Sequence, residues 1–243
     1  MHDRGNLASP HHHPGSPPQD GLRNLPECIA WSRLVHDAVG AALHDGHLPV
    51  LLGGDHHPAN GSISAVAGHR RRQGRRLRIL WLDAHADCNT QATTTTGNVH
   101  GTPVASLLGL GSAELARLSG ERPAIQPQQL CQIGLRSVDA AEKLLLAERG
   151  MEVYDMRAID ELGMRAVMGR ALQEVGPGVH LHLSFDIDFL DPDIAPGTGT
   201  TVRGGPGYRE AQLCMEIIAD TGALASLDIM ELNPALDIRN QTA

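Results

Sequence analysis

Aromatic side chains are scarce, at 2% of the 243 residues, so any core must be filled mainly by aliphatic ones. Cysteine is equally thin. Cys28, Cys88, Cys131 and Cys214 are scattered with no CxxC pair, which excludes a zinc ribbon and a disulfide framework. No apolar run is long enough to span a bilayer, and there is no secretory signal pattern. No membrane partner is expected, and a reducing, cytoplasmic setting is. Positive charge is in deficit: 20 Lys and Arg against 28 Asp and Glu give a net charge of −8. That argues against a nucleic-acid or anionic-membrane partner. The exception is the basic run His69 to Arg78 (HRRRQGRRLR), which falls between an expected helix and an expected strand. It is read as a solvated helix end or connection, with a nucleic-acid role the weaker alternative. Internal repeats are also lacking.

What is present is a length and a 41% hydrophobic content sufficient for one large domain. Residues 1–25, rich in Gly, Pro and His, read as a loop or disordered segment, with His11 to His13 a solvated stretch. Apolar residues from Ile29 to Leu43 recur at helical spacing, which predicts a helix over Pro26 to His44. Strands are expected at Leu48 to Leu52, Leu77 to Leu80, Gln129 to Leu135, Met151 to Asp155, Val179 to Leu183 and Leu224 to Leu232. Helices are expected from Gly61, over Pro103 to Leu110, Ala140 to Arg149, Met156 to Val175 and Tyr208 to Thr221. Alternation of strand and helix predicts a mainly parallel sheet covered on both faces.

Chemistry concentrates where strands end. After Leu80 come Asp83, His85 and Asp87, one every second residue; in extended backbone these share a face. Crowded ionisable groups are costly to bury unless something compensates them. A divalent ion does so, and a carboxylate–imidazole mixture suits manganese or zinc. Gly53-Gly54-Asp55-His56-His57 follows another strand, and Asp186 and Asp188 follow a third, sharing a face opposite Phe185, Ile187 and Phe189. In open α/β sheets, sites form outside the carboxyl ends of strands.

GGDHH at 53–57, DAHADCNT at 83–90, GNVHGTP at 97–103, SFDIDFLDPDIAPGTGT at 184–200 and DIMELNP at 228–234 together resemble the arginase (ureohydrolase) family, from about Asn24 to the end of the chain. The resemblance implies an α/β fold, a three-layer α/β/α arrangement, and two Mn2+ ions per chain. It also implies hydrolysis of L-arginine to L-ornithine and urea. His56, Asp83, Asp87 and Asp186 would serve one ion, and His85, Asp83, Asp87, Asp186 and Asp188 the other. How the carboxylates divide between them stays open. Two such ions, roughly 3.5–4 Å apart, could share one water and lower its pKa, and the resulting hydroxide would attack the guanidinium carbon.

Asp87 would orient that nucleophile, Glu231 would face the guanidinium, and His100 would protonate the leaving amine, because an imidazole titrates near neutral pH. Asn89, Thr96 and Asn98 suit the substrate carboxylate, Asp139 and Glu142 its ammonium, and Thr94 and Thr200 complete the rim. Asp55 and His57 are expected as a supporting partner and a pocket wall. The resemblance further implies a homo-oligomer, trimer or hexamer, and one catalytic domain over 26–243 that lacks the first strand and last helix usual in the family. Two positions depart from the pattern: Ser137, where an acid is common, and Cys88, which alternation turns away from the ions into packing. The competing readings are an agmatinase or another guanidino-acid ureohydrolase, and a truncated non-catalytic relative.

Overall fold

The computed structural model describes residues 2–8 and 18–242. Six strands form one sheet: β1 (Val50–Leu52), β2 (Arg76–Leu82), β3 (Leu130–Leu135), β4 (Glu152–Asp155), β5 (Val179–Asp186) and β6 (Leu224–Met230). Their order is β1-β6-β5-β2-β3-β4, and every neighbouring pair is parallel. The carboxyl ends therefore all open on the same side.

Among the described residues, seven α-helices flank the sheet: α1 (Leu25–His44), α2 (Ala59–Arg72), α3 (Pro103–Leu107), α4 (Ala140–Arg149), α5 (Met156–Leu162), α6 (Met164–Ala171) and α7 (Tyr208–Asp220). The period-two rule sorts the core into two layers. Leu77, Ile79 and Trp81 of β2 pack with Val35 and Val39 of α1 and Ile63 and Val66 of α2. Leu80 and Leu82, on the opposite face, pack with Ile159, Val167, Met168 and Ile218 from α5, α6 and α7. This is the three-layer α/β/α arrangement expected, and α1 packs on α2 through a close approach at Gly61. A Cβ there would meet the Ser32 carbonyl oxygen at 2.2 Å.

Several boundaries differ from expectation. The helix expected over Met156 to Val175 is two helices, because Gly163 adopts φ 80°, ψ 145°, outside any helical region. The helix begun at Pro103 stops at Leu107, and Gly109 follows at φ 81°. Strand pairing in β1 starts at Val50 rather than Leu48. Residues 18–24, just before α1, are held by specific contacts that their composition does not suggest. Leu22 is buried with Leu25, Ile29, Val99 and Leu115, and the Arg23 N–H donates to the Gly97 carbonyl at 2.8 Å. His11 to His13 lie outside the described residues. The basic run divides: His69 to Arg72 are the last turn of α2, whereas Arg76 and Arg78 belong to β2. Arg78 is not solvated; it pairs with Glu152 and donates to the Ala171 carbonyl.

Candidate metal centre and substrate cavity

Each strand end delivers its side chain by a different local device. β2 stops at Leu82, so Asp83, His85 and Asp87 are not in regular extended backbone. His85 forms an isolated parallel bridge with Ser137, and Asp87 takes φ 50°. The three nevertheless converge. Asp186 is the last residue of β5, while Asp188 sits in a single 3-10 turn, Ile187–Phe189, whose first N–H groups fold back so that the Asp188 N–H donates to Asp186 Oδ1 at 2.8 Å. The strand alternation expected for Asp186 and Asp188 is thus replaced by a turn. Phe185 and Phe189 still pack together on the far side, edge to face at 5.9 Å.

His56 is the hub. Its Nδ1 lies 2.8 Å from Asp186 Oδ2, 3.0 Å from Asp83 Oδ2 and 3.6 Å from Asp87 Oδ2. Despite this proximity, Nδ1 makes no aligned hydrogen bond. A buried imidazole nitrogen ringed by carboxylate oxygens but bonded to none of them is the donor set a divalent cation takes. The other ring nitrogen, Nε2, is 2.9 Å from Ser184 Oγ. The ring is stacked on Trp81, centroids 4.0 Å apart and planes 9° apart. His85 Nδ1 lies 3.0 Å from Asp188 Oδ2 and 3.5 Å from Asp83 Oδ1. Asp83 therefore presents one oxygen to each imidazole and stands between the two halves of the site. Among the described residues, three groups have ligand atoms within 4.8 Å of one another: His56, Asp83 and Asp87; Asp83, His85 and Asp188; Asp186, Asp188 and Glu231. Two histidines and five carboxylates are a donor set of the type that divalent cations take.

The electrostatics agree. Burial raises the Asp87 and Asp186 pKa values well above the ordinary carboxylate range, and the neighbouring Asp83 charge adds to it. Burial alone would lower the His85 pKa, but Asp188 and Asp83 override it and raise it to about 11. The same contest at His56, with Asp186 and Asp83 as partners, also ends in a raised value.

A cavity of about 290 Å³ opens above this cluster. Its wall includes every expected substrate-contacting residue: Asn89, Thr94, Thr96, Asn98, Asp139, Glu142, Thr200 and Glu231, with His85, Asp87, His100 and Asp186 among the rest. His56, Asp83 and Asp188 are buried and are not part of that wall. Glu231, at φ 64°, is anchored by its N–H to the Gly54 carbonyl at 2.7 Å. Thr200 Oγ1 is a donor within reach of both Asp188 Oδ2, at 3.0 Å, and Glu231 Oε2, at 3.2 Å. His100 Nδ1 is 3.6 Å from Glu231 Oε1.

The rim is stiffened by its own hydrogen bonds. Asp139 and Glu142 form a reciprocal cap at the start of α4. Glu142 Oε1 also accepts the Cys88 N–H at 3.1 Å, and Asp139 Oδ2 accepts from Asn89 at 2.9 Å. Thr94 and Thr96 hydroxyls accept the N–H groups of Gly97 and Asn98. Cys88 faces the core, as alternation suggested. Two contributors went unrecognised in the sequence, Trp81 and Ser184. The Trp81 indole N–H donates to Asp83 Oδ2 at 2.8 Å, and Ser184 holds His56. Each stands two residues before an acid that was singled out, so the same period-two pattern contained the signal.

Known proteins supply an independent comparison. The Arginase family model matches residues 1–243. An arginase of Brucella melitensis is 44% identical over 99% of this chain and 78% of its own length. An arginase of Bacillus caldovelox is 43% identical over 91% of this chain and 73% of its own. The crystal structure of a Bacillus subtilis arginase superposes with a TM-score of 0.91 at 38% identity, covering 99% of this chain and 80% of that one. Sheet order, cavity and sequence thus lead to one placement: the chain belongs to the arginase family.

Proposed function

We propose that this chain is a manganese-dependent hydrolase that converts L-arginine to L-ornithine and urea. The observation that carries the reading is the position of Asp83 between two imidazoles, directly beneath a cavity that also holds Glu231 and His100. His56, Asp83, Asp87 and Asp186 would hold one cation, and His85, Asp83, Asp188 and shared carboxylates the second. When bound, such a pair supplies a water acidified toward neutrality.

The protein's own groups do the rest. The cavity admits the substrate with its guanidinium against Glu231, whose carboxylate complements the cation. Asp87, an acceptor at the cavity floor, orients the attacking water by hydrogen bonding. His100, already facing the Glu231 carboxylate, delivers a proton to the departing amine nitrogen, the N–H forming as the carbon–nitrogen bond breaks. At the rim, Asn89, Thr96 and Asn98 address the α-carboxylate. Asp139 and Glu142 retain acceptor capacity beyond their capping bonds for the α-ammonium, and Thr94 and Thr200 close the wall. A site built to pair a polar group discriminates strongly against an analogue without it, so agmatine is disfavoured.

A single catalytic domain over 26–243, assembled as a cytoplasmic trimer or hexamer, fits the same reading; light scattering tests the assembly. The activity is tested by urea release from arginine and from agmatine, with and without manganese. Manganese-dependent release from arginine is expected. Equal or greater release from agmatine, or none from either, refutes the assignment.

A further inference from the structure

We infer that Asp55 and His57 form a brace that positions His100, a role resting on the reading of His100 as the proton donor. The 53–57 segment is tied to the end of β6 by two backbone hydrogen bonds, Gly53 N–H to Ile229 and Glu231 N–H to Gly54, at 2.9 and 2.7 Å. That lacing brings Asp55 and Glu231 to the same imidazole, that of His100. His57 Nδ1 is hydrogen-bonded to Asp55 Oδ1. The other nitrogen of the His57 ring, Nε2, is buried without a partner, so Asp55 is the contact that orients the ring. Asp55 in turn sends its second oxygen, Oδ2, to within 3.9 Å of His100 Nδ1. The same nitrogen is 3.6 Å from Glu231 Oε1.

His100 thus turns Nδ1 toward two carboxylates supplied by two different strand ends. Only one of these, Glu231, is engaged by the substrate in the reading above. When the guanidinium arrives, Glu231 divides its attraction between ligand and imidazole. Asp55 does not, because His57 fixes it from behind. The brace holds the imidazole plane while Glu231 serves the substrate. His57 itself touches no reacting atom and acts through Asp55.

The test is a double-mutant cycle on the full manganese-loaded protein. His57→Leu removes the donor to Asp55. We expect kcat for arginine to fall about tenfold, with KM and bound manganese unchanged. His57→Asn, whose side-chain N–H replaces Nδ1–H, keeps most of the rate. In a His100→Asn background, His57→Leu produces no further loss, because the two act as one unit. An equal loss in both backgrounds, loss of manganese, or an Asn variant as slow as the Leu variant overturns the brace. Should His57→Leu not fold, Asp55→Ala carries the same cycle from a half-exposed position. Wild-type kcat in His100→Asn alone would overturn the proton-donor reading itself, an outcome distinct from additivity.

Discussion

Loading the chain with manganese should raise its thermal stability substantially, and more at pH 8 than at pH 6. The site gathers His56, Asp83, Asp87, Asp186 and Asp188, all nearly inaccessible to water, with His85 half-buried. A cation that binds only the folded chain stabilises it by about 2.7 kcal/mol at 100 times its Kd, and two such ions by roughly twice that. For a domain of this size each kcal/mol moves Tm by about 2–4 °C, so a rise on the order of 10–20 °C is expected.

The pH dependence follows from proton linkage. In the metal-free chain, His85 is raised to about 11 and His56 is raised as well. Such histidines contribute stability that is complete below the unfolded value near 6.5 and is lost as pH rises toward the folded value. Asp87 and Asp186 are also raised, so above the ordinary carboxylate pKa the folded chain holds protons the unfolded chain has shed. That too makes stability fall with rising pH. The two histidines therefore weaken the metal-free chain between pH 6 and pH 8, and the two carboxylates push in the same direction from the ordinary carboxylate range upward. Cation binding requires those protons to leave, so it strengthens over the same window. Scanning fluorimetry suits the measurement, because Trp81 stacks on His56 and reports on the site. Asp83→Asn, which alters the group between both imidazoles, should abolish most of the rise. A Tm unmoved by manganese, a larger rise at pH 6, or a full rise in Asp83→Asn would refute the reasoning.

Three further outcomes are expected. Asp87→Asn or Asp186→Asn should eliminate manganese-dependent urea production; near-wild-type release from either would remove that carboxylate from the site. His180 is buried, with its pKa lowered to about 3 by burial and then by His182. It stays neutral in the folded chain but gains a proton below about 6.5 when unfolded, so stability should fall from pH 6.5 downward. Melts at pH 7 and pH 5 should show a smaller decline in His180→Leu than in the wild type. Asp139→Ala removes the α4 cap and the anchor of Asn89, and should cost about 1 kcal/mol in denaturant melts while raising KM for arginine.

Much of this was legible in the residues. Apolar periodicity located α1, α4 and α7, each with one face in a layer of the core, and short apolar runs located the strands, of which β2 and β3 are buried on both faces. The break at Gly163 was not, since a glycine inside an amphipathic run is equally compatible with an uninterrupted helix. The order at Leu22 was hidden because it depends on Val99 and Leu115, far along the chain, not on local composition. The clusters at the strand ends were visible as residue types. Their meeting point became visible only through the sheet order, which brings β1, β6, β5 and β2 side by side.

The most instructive difference concerns how the carboxylates reach that point. Strand alternation accounts for Asp186, but Asp188 arrives by a 3-10 turn, and Asp87 and Glu231 arrive through left-handed backbone at φ 50° and 64°. For residues with a Cβ, that conformation costs about 1–2 kcal/mol each, and local preference would reject it. Each is retained by a long-range backbone bond, the Val104 N–H to the Asp87 carbonyl and the Glu231 N–H to that of Gly54, at 2.9 and 2.7 Å. The fold thus accepts strain at two strand ends to aim carboxylates that regular geometry would direct elsewhere. Releasing either anchor should therefore disturb the site well before it disturbs the sheet, since the bonds at stake lie outside every strand pairing.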